Sequence, residues 1–120
     1  KDGASISEIT KNGIPIVILS SETNKVVTVR ARKLGVECIQ GVKEKLTAVQ
    51  NLLQTNKLGA EEIWYIGNDL NDLEPVKHYF SLCPSDAIQE IKNNSDIILS
   101  TRGGEGIFVE VSNILKRKKP

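Results

Sequence analysis

The chain has 120 residues, of which 39% are hydrophobic and 26% are charged, and its formal net charge is +1. This is the balance of a globular domain large enough to bury a core, and the small net charge excludes a global field that would recruit nucleic acid or an anionic membrane. No apolar run approaches the roughly 20 residues of a membrane span, and no signal peptide is recognisable.

Cysteine and methionine usage gives two further expectations. Cys38 and Cys83 each lie among apolar neighbours, which favours buried, reduced thiols over a disulfide and predicts a cytoplasmic protein. The chain contains no Met and opens on Lys1-Asp2-Gly3. We therefore expect it to be a piece of a longer protein.

Apolar runs alternate with amphipathic segments in chain order. The first dozen residues are typical of a helix end, the run at 14–19 predicts a buried strand, and the spacing over 22–34 predicts a helix capped by Gly35. The remaining predicted elements are a strand at 38–39, a helix over 44–57, a strand at 63–66, a short helix over 72–77, a strand at 79–83, a helix over 86–93, a strand at 97–99 and a helix over 106–116.

This alternation predicts one α/β domain over residues 1–120, with a parallel sheet covered by helices on both faces. In such sheets the ligand site lies beyond the carboxyl ends of the strands. Trp64, Tyr65 and His78 are expected to be structural rather than functional.

Two residues near strand ends suit a phosphate. Ser20 combines a small hydroxyl with the start of a helix, although Ser at this place is also a common N-cap. Lys45 lies at the beginning of a helix, where a cation is unfavourable unless it faces an anion. A plain surface lysine remains the alternative for Lys45.

The segment Gly67-Asn68-Asp69-Leu70-Asn71-Asp72 directly follows an apolar strand. Its side-chain oxygens are the ligands that Mg²⁺ prefers, and one or two of them suffice because the ion keeps several waters. The segment therefore predicts a Mg²⁺ site among its four oxygen-bearing side chains, with a plain turn as the alternative.

A glycine-rich segment, Arg102-Gly103-Gly104-Glu105-Gly106, follows the last predicted strand. Such a loop can present backbone N–H groups to an anion, or it can be a flexible turn before a helix. We assign Ser21, Arg102, Gly103 and Gly104 to the loops that contact substrate and phosphate.

Taken in order, these segments resemble the haloacid dehalogenase superfamily, in the branch of 3-deoxy-manno-octulosonate 8-phosphate phosphatases and the C-terminal domains of acylneuraminate cytidylyltransferases. The resemblance implies a three-layer Rossmann-like fold without a cap domain. It further implies that Ser20 holds the transferring phosphoryl group, that Lys45 neutralises phosphate and nucleophile charge, and that Asn68 and Asp72 surround Mg²⁺, with Asp69 close by.

Two departures from the family pattern stand out. Asn68 occupies a position that is commonly Asp in active members, and the nucleophile motif Asp-x-Asp does not occur in the chain. In the family that motif lies on the first strand, in the middle of the sheet. We therefore expect the central strand to be missing here and the chain alone to be inactive.

The resemblance leaves two hypotheses open. One is a Mg²⁺-dependent phosphatase of an octulosonate or nonulosonate (sialic acid type) phosphate, which forms an aspartyl-phosphate on a strand outside this chain and assembles as a homotetramer. The other is a catalytically weak or silent oligomerisation domain, fused to an upstream nucleotidyltransferase domain. A receiver domain would share the architecture, but its acidic pair and phosphoacceptor Asp are not found.

Overall fold

Eleven helices and strands and two short 3₁₀ turns form within residues 2–118, which the computed structural model describes apart from the side chain of Lys118. Lys1, with which the chain opens, lies outside the described residues. The elements are α1 (Gly3–Lys11), β1 (Val17–Leu19), α2 (Lys25–Leu34), β2 (Glu37–Ile39), α3 (Lys45–Thr55), β3 (Trp64–Ile66), α4 (Leu73–His78), β4 (Phe80–Cys83), α5 (Gln89–Asn94), β5 (Ile97–Ile98) and α6 (Ile107–Lys118), with 3₁₀ turns at Ala60–Glu62 and Leu70–Asp72.

Every helix and strand predicted from the sequence is present, and the differences are at the ends. The first strand begins at Val17 rather than at residue 14, because Pro15 has no N–H group to donate and the N–H of Ile14 binds the carbonyl of Ile9. Gly35 ends α2 as predicted, with φ of 74° in the left-handed region that favours glycine.

The five strands form two parallel sheets. In one, β1 pairs with β2, and Val17 lies opposite Glu37. In the other, β3 pairs with β4 and β4 with β5, so that β4 is the middle strand. Within residues 2–118, β1 and β3 therefore have one hydrogen-bonded neighbour each, as expected if the central strand of the family is missing. The α/β class with parallel strands is confirmed.

The chain divides into two compact units. Unit 1 consists of residues 1–43 and 106–120, where α1 packs against α6 and buries Ile6 and Ile9. Unit 2 consists of residues 44–105, where α4 covers β3 and β4. Its core centres on Leu82 and Ile91, both fully buried. The prediction of a single domain over residues 1–120 stays a prediction.

Aromatic and sulfur-bearing residues add two details. Trp64 on β3 packs against Phe80 on β4, with ring centroids 5.2 Å apart. Cys38 and Cys83 are both free thiols, Cys83 buried and Cys38 half-buried. No helix within the described residues is long and apolar enough to cross a membrane.

Candidate active site

The carboxyl end of β3 turns sharply at Gly67, and this turn brings Asp72 against the backbone. A Cβ atom on Gly67 would lie 2.7 Å from Cβ of Asp72 and 3.1 Å from Cγ2 of Val76. Real Cβ atoms do not approach other atoms so closely, so only glycine fits here. The glycine after the strand is therefore what allows the Asp72 side chain to reach beneath the turn.

The buried carboxylate of Asp72 accepts hydrogen bonds from four donors. Its Oδ1 accepts from the Tyr65 hydroxyl at 2.6 Å and from Nζ of Lys45 at 3.1 Å. Its Oδ2 accepts from the backbone N–H groups of Asn68 and Asp69, at 3.0 and 3.2 Å. This arrangement fixes the turn and the lysine to the same carboxylate.

The ionised form of Asp72 is stabilised by these donors. Burial alone would raise the pKa of Asp72, but the hydrogen bonds from Tyr65 and the turn backbone, together with the charge of Lys45, hold that pKa below its usual range. Burial, and then the hydrogen bond to Asp72, raise the pKa of the Tyr65 phenol. Tyr65 is therefore a neutral donor at all physiological pH values.

Lys45 begins α3 and is held in place rather than free in solvent. Its side chain is 11% exposed, and its ammonium group forms an ion pair with Asp72 at 3.1 Å. A surface lysine was the alternative for this position, and the buried ion pair argues against it. The arrangement places one fixed positive charge beside the turn after β3.

Asn68, Asp69 and Asn71 are the exposed oxygen-bearing residues of the turn, and of these Asn68 and Asp69 were predicted to hold Mg²⁺. Oδ1 of Asp69 accepts a hydrogen bond from the N–H of Leu70 at 2.7 Å, while the Asn68 side chain has no hydrogen bond within the described residues. Both can offer oxygen to Mg²⁺, which needs few protein ligands. Asp72 differs from them because its oxygens are already bound by four donors, and no group of three or more His, Cys, Asp or Glu suited to a metal occurs among residues 2–118.

The loop after β1 places Ser20 in unit 1. Its Oγ accepts a hydrogen bond from the N–H of Glu22 at 3.1 Å, so the hydroxyl hydrogen is left to donate to a ligand. The neighbouring Ser21 is exposed. The true N-cap of α2 is Asn24, whose side chain accepts from the N–H of Val26 at 2.8 Å. Ser20 is therefore not used as the cap of this helix.

The glycine-rich loop after β5 is tied to the loop after β4. Asp86 Oδ1 accepts from the N–H of Gly103 at 2.8 Å, and Asp86 Oδ2 lies 3.7 Å from the Arg102 guanidinium group. The hydrogen bond from Gly103 is the main reason that the pKa of Asp86 is lowered. Gly104 has φ of 80°, a backbone conformation that favours glycine. The N–H of Gly103 is therefore already bound by the side chain of Asp86. The side chain of Arg102 is more exposed than that of Asp86.

Sequence reasoning missed two contributors. Tyr65 was expected to be a core residue only, and it is buried, but its hydroxyl binds Asp72. Gln40 follows β2 directly, and its side-chain amide donates to the carbonyl of Asn24 at 2.6 Å. A phenol in an apolar strand and an amide at a strand end both need polar partners. This need is the feature of the sequence that could have predicted the contacts of Tyr65 and Gln40.

The profile of the haloacid dehalogenase-like hydrolase family matches residues 17–110. This chain belongs to that family. Its branch is also confirmed, because the curated relatives that match include 3-deoxy-D-manno-octulosonate 8-phosphate phosphatases. The one from Haemophilus influenzae is 32% identical over 117 residues, which cover 96% of this chain and 65% of the relative. The one from Yersinia pestis is 28% identical, covering 96% and 63%.

Solved structures agree with this assignment. A 3-deoxy-D-manno-octulosonate 8-phosphate phosphatase from Moraxella catarrhalis, in complex with magnesium, phosphate and KDO, is 30% identical with a TM-score of 0.92, covering 97% of this chain and 68% of that one. The cobalt-bound phosphatase from Haemophilus influenzae is 32% identical with a TM-score of 0.90, covering 97% and 69%. The chain spans less than two thirds of the length of the two curated relatives, 65% of the one from Haemophilus influenzae and 63% of the one from Yersinia pestis.

Proposed function

We propose that this chain is part of a Mg²⁺-dependent phosphatase that hydrolyses a phosphate monoester of a 2-keto-3-deoxy sugar acid, of the octulosonate or nonulosonate (sialic acid) type. The nucleophilic Asp would come from a strand outside this chain, since no Asp-x-Asp occurs within it. The observation that carries the proposal is the buried Lys45–Asp72 ion pair beside the oxygen-rich turn after β3.

A fixed lysine suits phosphoryl transfer because this reaction depends on positioning and charge stabilisation more than on covalent chemistry by the protein. Lys45 would neutralise negative charge on the phosphoryl group and on the nucleophile. Its ammonium needs no rearrangement to do so, because Asp72 holds it at 3.1 Å. Ser20 would donate its hydroxyl hydrogen to a phosphoryl oxygen.

Magnesium fits the turn after β3. Asn68 and Asp69 would hold the ion, with further ligands from water, substrate and the missing strand. Asp72 would support the site indirectly, through the backbone N–H groups of Asn68 and Asp69. When bound, the ion would neutralise charge on the transferring phosphoryl group.

The substrate class is supported by the names of the relatives. The matching curated relatives named above act on 3-deoxy-D-manno-octulosonate 8-phosphate by name. Arg102, with its exposed guanidinium group, is a candidate contact for an anionic sugar acid. We propose a homotetramer in which neighbouring subunits close the site.

The test is phosphate release by the full-length protein from a panel of sugar-acid phosphates, with Mg²⁺ and with a chelator. We expect release that requires Mg²⁺, and we expect Lys45→Ala to abolish measurable turnover, since loss of one transition-state donor costs about 10²–10³-fold. Lys43→Ala is the matched control because Lys43 is exposed and two residues away. No release from any member of the panel would refute the proposal.

A second candidate function is a catalytically silent oligomerisation domain of an acylneuraminate cytidylyltransferase. Asn68 favours it, because an uncharged amide weakens a Mg²⁺ site. The sequence upstream of Lys1 separates the two candidates: an Asp-x-Asp-Gly within about fifty residues favours the phosphatase, and a nucleotidyltransferase domain favours the silent module. A monomer in size-exclusion chromatography would count against the module.

A further inference from the structure

The side chain of Gln40 connects the two loops that follow β1 and β2. Its Nε2 donates to the carbonyl of Asn24 at 2.6 Å and lies 3.4 Å from the carbonyl of Glu22. Its Oε1 accepts from the hydroxyl of Thr28 on α2. A single half-buried amide therefore binds both ends of the segment 22–24 and the helix that follows it.

The segment that Gln40 holds is the one that orients Ser20. The N–H of Glu22 donates to Oγ of Ser20 at 3.1 Å, and the carbonyl of Glu22 accepts from the N–H of Gly41 at 2.9 Å. The peptide groups of Glu22 are thus fixed on one side by Ser20 and on the other by residues 40 and 41. Displacement of Glu22 would therefore break the hydrogen bond that holds Oγ of Ser20.

Backbone bonds hold this segment at both ends, the far end through the N–H of Val27, which donates to the carbonyl of Asn24 at 3.2 Å. Residues 21–24 are all exposed and belong to no helix or strand. Within the described residues, the backbone bonds from the loop after β2 reach only the carbonyls of Ser20 and Glu22. The side chain of Gln40 adds a second bond to the carbonyl of Asn24, and so ties the residue that caps α2 to the loop after β2.

We propose that Gln40 is a positioning residue for phosphoryl transfer, acting through Glu22 on the hydroxyl of Ser20. The proposal rests on the proposed phosphatase function. Gln40 does not touch the reacting atoms, so its loss affects the chemical step through misplacement of Ser20. A displacement of about 1 Å in a positioned group can cost on the order of a hundredfold in rate.

The test is a double-mutant cycle of Ser20→Ala and Gln40→Leu in the full-length protein, with kcat and KM measured on its best substrate. We expect Gln40→Leu to lower kcat by about tenfold or more with a much smaller change in KM. In the Ser20→Ala background, the same replacement should change kcat by less than about twofold, because residues that act as a unit are not additive. Independent, multiplicative losses would overturn the proposal.

Two further variants guard against a folding defect. Gln40→Glu keeps the shape and can accept from Thr28, but its carboxylate faces the carbonyls of Asn24 and Glu22, so we expect it to lower kcat as Gln40→Leu does. Thr28→Val is the matched control: it removes the third contact of Gln40 and leaves both loop contacts, so kcat should stay within about twofold of wild type. Equal losses in both variants would also overturn the proposal.

Amide hydrogen exchange tests the same idea without any turnover. The N–H groups of Glu22 and Gly41 should exchange about tenfold faster in Gln40→Leu and at the wild-type rate in Thr28→Val. Absence of phosphatase activity together with this exchange pattern would refute the proposed function but retain Gln40 as the group that orders the Ser20 loop. Unchanged exchange in Gln40→Leu would refute the role of Gln40 itself.

Discussion

Asn68 carries an uncharged amide at a position where the family resemblance leads us to expect Asp. It is exposed and begins the turn after β3, next to the exposed carboxylate of Asp69. An amide oxygen can bind Mg²⁺ but adds no charge, so the affinity of the site depends on its other ligands.

We predict that Asn68→Asp strengthens Mg²⁺ binding. An added unit charge about 4 Å from another contributes on the order of 1 kcal/mol even in water, so we expect the Mg²⁺ dissociation constant to fall about five- to tenfold. Isothermal titration calorimetry of the full-length protein measures this directly. Asn71→Asp adds the same charge at an exposed position of the same turn and should have little effect. Equal changes in both variants would contradict a site at Asn68.

Asp72 illustrates how far residue types alone can predict a site. Its position in an Asn- and Asp-rich segment predicted a Mg²⁺ ligand, and that role stays untested. The structure adds that its four acceptor contacts are made with Lys45, Tyr65 and the turn backbone. Those partners are up to 27 residues away in sequence. Sequence spacing could not reveal them, because they depend on tertiary packing.

At the scale of elements, the turn between β3 and α4 depends on Gly67. The N–H of Gly67 binds the carbonyl of Leu82 on the neighbouring strand at 3.1 Å, so the backbone cannot move away without losing this bond. The missing side chain leaves room for Asp72 and Val76. Strand, turn and helix therefore meet at a point with no space for a methyl group.

We predict that Gly67→Ala lowers the free energy of unfolding by about 1–3 kcal/mol, the usual cost of forcing an extra group into a packed site. It should also reduce turnover, because the displaced Asp72 no longer holds Lys45. Urea denaturation and phosphate release measure the two effects. Gly3→Ala is the control: its new Cβ would meet nothing closer than 4.0 Å at the start of α1. A stable, fully active Gly67→Ala protein would contradict this account.

The elements themselves were largely predictable because apolar runs and helical spacing repeat along the chain. Their ends were less so, since they depend on particular hydrogen bonds. Residues 86–88 were predicted to be helical, yet α5 begins at Gln89. Asp86 binds the loop after β5, and the N–H of Ile88 binds the carbonyl of Asn68 at 3.2 Å. These long-range partners override local helix propensity.

At the scale of the whole molecule, three carboxylates respond to acid in the same direction. The pKa values of Asp72, Asp86 and Glu8 are all lowered in the folded protein. A lowered pKa contributes stability that is present above the unfolded pKa of about 4 and is lost as pH falls through the folded value. Asp72 is the one of the three that is buried, at 3% exposure, so solvent screens its contacts least.

We predict that stability falls as pH is lowered from about 5 to 3, and that Asp72 carries much of this dependence. Asp72→Asn should be less stable than wild type at pH 7, because its amide cannot accept four hydrogen bonds or pair with Lys45. The difference should shrink as pH falls below about 4. Urea denaturation followed by circular dichroism at several pH values measures it. A constant difference across this range would contradict the prediction.

The Trp64–Phe80 pair lies in unit 2, and so do both tyrosines of the chain, Tyr65 and Tyr79. Intrinsic fluorescence and near-ultraviolet absorbance therefore come from residues 44–105, while residues 2–43 contribute almost no signal. A melting curve followed by these optical signals therefore reports the unfolding of the unit that contains Lys45 and Asp72. It does not report the unfolding of the loop that contains Ser20. Cys38, a half-buried thiol on β2, offers the complementary probe, since a fluorophore attached there would report on the other unit.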